Sequence, residues 1–301
     1  MSGLRFDGRV AIVTGAGRGL GRAYAMLLGS LGAQVVVNDN GSAIKGEGVD
    51  ASPAEDAAAA IRAAGGAAVA TTASVATREG GQAIVGAALD SFGRIDAVIH
   101  NAGNVRYGLL SEISLEEFQA VLDVHLIGAF NVVRPAFPLM CAQNYGRIVL
   151  TSSIGGLYGN HRCVNYGAAK SGMIGLNNVA ALEGEPFDVK SNIILPSAVT
   201  RMAEGLDISK YPPMAPELVA PAVAWLAHER CSSSGEMLSA IGGRLARAFV
   251  AETPGIYRPS WTIDEVDAAM PRIRDKAEIL DFGLHGHREH INYSFAMVSQ
   301  D

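Results

Sequence analysis

Seven short apolar runs alternate with helix-patterned segments along most of this chain, and that alternation restricts the fold more than any other feature. Arg9–Thr14, Gln34–Asn38, Ala67–Ala73, Asp96–His100, Arg147–Thr151, Lys190–Leu195 and Glu236–Ile241 read as strands. The first, RVAIVT, is apolar on both faces, as a strand buried inside a parallel sheet must be. Helical patterns lie between the runs: up to Leu31, then Pro53–Ala64, Thr77–Phe92, a long one over Ser114–Asn144, Asn165–Glu185 and Pro216–Ala227. The long one opens on Ser114-Leu115-Glu116-Glu117, a capping-box pattern that gives it a defined start. Parallel strands joined by right-handed helical crossovers must be covered on both sides. The expected class is therefore α/β, a doubly wound parallel seven-stranded sheet with helices on both faces.

Two segments break the rhythm. Gly41–Ser52 is polar and glycine-rich and follows the second strand. Beyond residue 250 come Pro254, Pro259, Pro271 and a helical pattern over Thr262–Lys276. The expected organisation is one domain over 1–250 and a C-terminal extension over 251–301 that packs on it or on a neighbouring subunit, since about 50 residues make a marginal core alone.

Composition closes off other classes. Of 301 residues 49% are hydrophobic, which excludes a disordered chain, and no run approaches about 18 uninterrupted apolar residues, so no membrane span is expected. The net charge of −6, without a Lys/Arg cluster, argues against a nucleic-acid partner. Cys141, Cys163 and Cys231 form no CxxC, and MSGLRFDGR is no signal peptide. The terminal Val-Ser-Gln-Asp is no peroxisomal tripeptide, so the expected compartment is the cytoplasm.

The turn after the first strand, Thr14-Gly15-Ala16-Gly17-Arg18-Gly19-Leu20-Gly21, suits a diphosphate. Such a group needs backbone N–H donors at the positive end of a helix dipole, with no Cβ in the way. Asp39, eighteen residues after Gly21 at the end of the second strand, can accept hydrogen bonds from the adenosine ribose. It would repel a 2′-phosphate, and no Arg or Lys stands at 38 or 40, so NAD is expected rather than NADP.

Tyr166 and Lys170 lie at i and i+4 on one helix face, and Thr151-Ser152-Ser153 ends a strand thirteen residues upstream. Oxidising an alcohol needs a base for the hydroxyl proton while hydride leaves, and a free phenol with a pKa of about 10 is a poor one at neutral pH. A neighbouring ammonium should pull it down, with a serine hydroxyl holding the reacting oxygen.

Thr14-Gly15-x-x-x-Gly19-x-Gly21, Asn101-Ala102-Gly103, Ser153, Tyr166 and Lys170 together resemble the short-chain dehydrogenase/reductase superfamily over residues 5–245. Within it, VVVND at 35–39, Lys45-Gly46, TSS…LYGN at 151–160, PSAVTRM at 196–202 and ELVAPAVAWLAHERC at 217–231 are most similar to the (3R)-hydroxyacyl-CoA dehydrogenase branch of multifunctional and 17β-hydroxysteroid dehydrogenase type enzymes. The resemblance implies a Rossmann-type fold and a homodimer or homotetramer. It implies that Gly15, Arg18, Gly19, Leu20 and Gly21 bind the diphosphate, and that Asp39 binds the ribose. Asn101, Ala102 and Gly103 would pass beneath the adenosine side, and Pro196, Val199 and Thr200 would meet the carboxamide. Tyr166 would be the acid/base, Lys170 would also hold the nicotinamide ribose, and Ser153 would bind substrate.

Three positions depart from the family pattern. His125 stands where most members carry an asparagine in the proton relay, and either serves that relay or packs. Ser74-Val75 replace the acid that meets adenine, and Ser197 replaces a glycine. Elsewhere, Cys163 reads as a buried spectator and His285, His287 and His290 as a solvated tail, with no metal site expected. The 41–52 insert reads equally as a surface loop or as a pocket rim setting Lys45 against a carrier phosphate. A short Arg201–Pro213 segment suggests an open substrate cleft.

The expected activity is NAD-dependent interconversion of a secondary alcohol and a ketone, on a 3-hydroxyacyl-CoA, possibly sterol-derived. The competing readings are a dehydrogenase of free hydroxysteroids and, more remotely, a non-catalytic dinucleotide sensor or scaffold.

Overall fold

The computed structural model describes residues 3–200 and 212–298. Its strands and helices run in the order β1 (Val10–Thr14), α1 (Gly19–Ser30), β2 (Gln34–Asn38), α2 (Ser52–Ala63), β3 (Ala67–Thr71), α3 (Arg78–Phe92) and β4 (Ala97–His100). There follow α4 (Leu115–Leu122), α5 (Gly128–Gln143), β5 (Gly146–Thr151), α6 (Ile154–Tyr158), α7 (Val164–Gly184), β6 (Val189–Ser197), α8 (Ala220–Ala227) and β7 (Met237–Ile241). The chain closes with β8 (Arg244–Ala248), α9 (Ile263–Ile273) and α10 (Gly286–Val298).

The strands form one sheet in the order β3-β2-β1-β4-β5-β6-β7-β8, and β1 to β7 pair in parallel throughout. Chain order reverses between β1 and β4. At such a switch point the helices leave in opposite directions and a crevice opens beyond the strands' carboxyl ends. Register brings Thr14 level with both Asn38 and His100, so the polar residues that end these strands share one edge. One apolar layer packs α1, α2 and α8 on a face of the sheet, while α3, α5 and α7 cover the other.

The sheet has eight strands rather than the expected seven. β8 follows β7 across the two-residue turn Gly242-Gly243, a connection that only an antiparallel hairpin can make. RLARA escapes notice because it is an edge strand, mostly exposed, whose arginines give none of the apolar run of a buried one.

The long helix is one body in three parts, α4, a π turn over Asp123–Ile127 and α5. Its capping box forms, with Glu117 N donating to Ser114 Oγ at 3.1 Å and Ser114 N to Glu117 Oε2 at 3.3 Å. Leu115–Gln143 is long and apolar enough to cross a bilayer by length and composition, but here it packs against α3 and α7.

At the sheet's other edge Asp96, fully buried, accepts from Val10 N and Arg9 Nη1 at 2.9 Å and from Arg94 Nε and Nη2 at 2.8 and 2.7 Å. Arg9 and the buried Arg147 both stack on the Tyr145 ring, at 3.9 and 4.4 Å from its centroid. Each charge there has an ionic or hydrogen-bonded partner, as burial demands.

The chain divides into two compact units at the end of β8, between Arg247 and Ala248. In the second unit α9 starts at a capping box of Thr262 and Glu265, and α10 covers the histidine-rich stretch expected to be a tail. His290 Nε2 sits 3.2 Å from Glu252 Oε2, and among the described residues no three His, Cys, Asp or Glu side chains cluster as metal ligands would.

Candidate active site

Both the glycine turn and the catalytic set face a cleft of about 460 Å³ at the carboxyl edge of the sheet. Its floor is a satisfied polar network. The Nε2–H of buried His100 donates to His125 O at 3.1 Å, so Nδ1 must accept from the Thr14 hydroxyl, also 3.1 Å away. Thr14 Oγ1 in turn accepts from Asn101 N and Ala102 N at 3.0 and 3.1 Å. Asn101 Nδ2 reaches back to the carbonyls of Thr14 and Gly15. The ends of β1 and β4 are thereby joined to the turn that carries His125.

Bare backbone makes the glycine-turn end of the cleft. A Cβ on Gly15 would lie 2.8 Å from Ala102 Cα, in a residue whose φ is already +63°, and one on Gly21 would lie 2.1 Å from Gly15 O. Arg18 precedes α1 in extended conformation with no side-chain cap, which leaves first-turn N–H donors for an anion. Asp39 is held by Gly17 N at 2.9 Å and Gly41 N at 2.7 Å, each on a different oxygen, so its remaining lone pairs face the cleft. An unprotected helix start beside a fixed carboxylate fits a dinucleotide.

At the other end, Ser153 caps α6, accepting from Gly155 N at 3.0 Å, and its hydroxyl acts on the Tyr166 phenol to lower its pKa. Lys170 Nζ donates to Thr151 O and lies 5.5 Å from the Tyr166 ring centroid. α6 can lie this close to α7 because residue 156 is glycine: a Cβ there would stand 2.7 Å from Lys170 Cβ. Ser152 Oγ ties the same turn to Lys170 O at 2.7 Å.

The electrostatics differ from the expected acidic phenol. Within the chain's own environment burial pushes Tyr166 up, against a lowering hydrogen bond from Ser153, and pushes Lys170 down to about 7. Desolvation disfavours the charged form of each, so both are poised towards neutrality. A phenolate needs a further positive charge in the cleft.

His125 sits in the π turn, buried, edge-on to Tyr166 with ring centroids 5.3 Å apart. Its Nε2 lies 2.8 Å from Asn104 O and 3.1 Å from Asn104 N, while Nδ1 has no protein partner. Burial holds its pKa well below the usual imidazole range, with the Lys170 charge acting the same way. Among the described residues four buried polar side-chain atoms lack a partner, and three of them, His125 Nδ1, Asn104 Oδ1 and Thr151 Oγ1, belong to cleft residues. Such groups are costly unless something polar meets them.

Gly15, Arg18, Gly19, Leu20, Asp39, Ser74, Val75, Asn101, Ala102, Gly103, His125, Ser153, Tyr166, Lys170, Pro196 and Thr200 all line this cleft. Gly21 and Val199 do not: Gly21 packs beneath the turn, and Val199 N is engaged with Met214 O at 2.8 Å. Cys163 is buried at the start of α7, its thiol pushed up by burial. Most of the Arg201–Pro213 segment, residues 201–211, lies outside the described residues.

Sequence reasoning placed Thr14 in the glycine motif without a role of its own and passed over His100, Asn104 and Asn165. Asn165 is fully buried; its Nδ2 donates to Arg106 O at 3.0 Å and Glu117 O at 3.4 Å, and its Oδ1 accepts from Tyr166 N at 2.7 Å. A polar residue directly before the tyrosine was the available signal.

Residues 9–208 match the family model for short chain dehydrogenase. The chain is 42% identical over 287 residues to the peroxisomal multifunctional enzyme type 2 of Drosophila melanogaster, a match covering 93% of this chain and 47% of that protein. It thus spans about half the length of that relative. It is 37% identical over 245 residues to a 3-oxoacyl-[acyl-carrier-protein] reductase of a Synechocystis species, covering 78% of this chain and 96% of that one. A solved short chain dehydrogenase from Mycobacterium avium superposes with a TM-score of 0.80 at 38% identity, over 91% of this chain and 97% of that one.

Proposed function

The chain belongs to the short-chain dehydrogenase family of oxidoreductases, and from that premise we propose that it interconverts a secondary alcohol and a ketone with NAD, acting on 3-hydroxyacyl thioesters of coenzyme A. One observation carries the reading: Ser153, Tyr166 and Lys170 meet at one end of a single cleft whose other end holds Asp39. The relative named as a 3-oxoacyl reductase supports a β-oxygenated acyl substrate.

Gly15, Arg18, Gly19 and Leu20 would hold the diphosphate, Asp39 the adenosine ribose, and Ser74 and Val75 the adenine. Asn101, Ala102 and Gly103 would form the floor, with Lys170 on the second ribose and Pro196 and Thr200 at the carboxamide. The bound dinucleotide supplies a hydride acceptor and a positive charge. Tyr166 takes the hydroxyl proton at its phenol oxygen, Ser153 holds the reacting oxygen, and Lys170, fixed by Thr151 O, keeps its cation beside the phenol. His125, held neutral, leaves Nδ1 without a protein partner and open to the relay behind them.

Selectivity for NAD is supported by Asp39, and Arg18, the cation nearest the turn, already faces Asp50 at 3.8 Å. Adding a (3R)-hydroxyacyl-CoA to the protein with NAD should produce NADH absorbance, with NADP a much poorer partner. Tyr166→Phe should lower kcat by about 10³-fold. Turnover surviving in that variant would refute the mechanism, and equal use of NADP would refute the role of Asp39.

A further inference from the structure

The 41–52 insert is built into the fold at both its base and its tip. At the base, Asp39 Oδ1 accepts from Gly41 N at 2.7 Å and Asp50 N donates to Asn40 O at 2.9 Å. The tip closes on itself, Gly46 N donating to Ala43 O and Ala43 N to Glu47 O, both at 2.8 Å. From there it reaches across to the segment that follows β4. Val105 N donates to Ile44 O at 3.2 Å, and Arg106 Nε and Nη2 both donate to Lys45 O, at 3.2 and 3.0 Å. Ser42, Ala43, Ile44 and Gly46 line the same cleft as Asp39 and Asn104.

The strap has no helix or strand of its own, and Gly41, Gly46 and Gly48 all have positive φ. Few internal bonds and mostly exposed backbone place such a segment at the low end of local stability, so its bonds to Val105 and Arg106 decide where it rests. A guanidinium is well shaped for this hold, because two donors of one rigid fork converge on a single carbonyl oxygen, which a rotating ammonium cannot reproduce. Arg106 is held from its other side as well, since its own carbonyl accepts from Asn165, the residue before Tyr166.

We propose that Arg106 is a positioning residue that latches the 41–52 strap across the Asp39 end of the cleft, so that retention of the dinucleotide depends on it. The proposal rests on the dinucleotide reading of that cleft. It is tested on the full chain by calorimetric titration with NAD, together with hydrogen exchange at the Val105 amide, whose only acceptor in the latch is Ile44 O. Arg106→Ala is expected to weaken NAD binding about tenfold, through faster release, and to speed Val105 exchange. Arg106→Lys, keeping a single donor group, should recover part of both. Should Arg106→Ala fail to fold, a strap shortened between Ala43 and Gly48 carries the same expectation. An alanine or shortened variant that binds NAD as tightly as the parent, with Val105 equally protected where that amide keeps its partner, overturns the latch. A parent chain that binds neither NAD nor NADP overturns the cleft's reading itself, and the latch with it.

Discussion

Tyr166 and Lys170 are both pulled towards neutrality by burial, and the chemistry assigned to them needs the opposite pair of charges. The cation must therefore do its work at short range and in a low dielectric, where one charge more or less moves a pKa by whole units. Replacing Lys170 by Gln should shift the rising limb of kcat/KM for alcohol oxidation to higher pH, because the phenolate loses its nearest positive partner. A limb that stays in place would show that Lys170 serves only to bind ribose. His100 offers a second titration. Burial lowers it to about 3, so between there and about 6.5 the unfolded chain binds the extra proton and the folded chain does not. Stability is then complete above pH 6.5 and falls on acidification, with a slope of up to about 1.4 kcal/mol per pH unit for that histidine. Denaturant unfolding between pH 4 and 7 measures it, and a flat profile would contradict a neutral buried imidazole.

At the scale of elements, the site is the contact between α6, α7 and the segment after β4. Gly156 sets the first of these distances, since any Cβ there meets Lys170. Gly156→Val should push α6 off α7, loosen Ser153 from Tyr166 and lower kcat at least tenfold while dinucleotide affinity holds. Asn165 sets the second, anchoring the residue next to the tyrosine to Arg106 and Glu117. Asn165→Ala removes the partner of the Tyr166 N–H and of the part-buried Arg106 and Glu117 carbonyls, at a cost of about 1 kcal/mol, and should lower kcat more than KM rises at temperatures where circular dichroism shows the chain fully folded. Equal changes in both would make Asn165 structural only. The π turn belongs to the same scale. Its one surplus residue turns the His125 carbonyl onto His100 and the imidazole onto Tyr166, and no propensity in DVHLI announces it.

Across the whole molecule the two edges of the sheet have different duties. Carboxyl ends carry the cleft, while the amino ends of β1 and β4 are clamped through Asp96 to Arg9, Arg94 and Val10 N. Asp96→Ala removes the acceptor of the buried Val10 amide and of Arg94, leaves Arg9 its bond to Glu229, and should cost about 1–3 kcal/mol. Measured where the variant is folded, kcat should match the parent, because nothing in the clamp touches the cleft. A large loss of kcat without loss of stability would show that the two edges are coupled. The second unit is thinly packed by comparison: among its described residues Ala269 is the one buried apolar side chain.

The alternation of apolar runs and helices, the capping box at Ser114, the glycine turn and the Ser153, Tyr166 and Lys170 set were legible in the linear chain. Each rests on local chemistry: a period of side chains, a residue that tolerates an unusual backbone, a pair one helical turn apart. What escaped depends on contacts between segments far apart in sequence. β8 is an edge strand and carries no buried pattern, α10 emerges from a stretch with the composition of a tail, and the tip of the 41–52 strap gains its place from bonds to residues 105 and 106. The direction of the Tyr166 and Lys170 shifts was decided there too, because desolvation depends on how much protein surrounds a group, and no spacing of residues reports that.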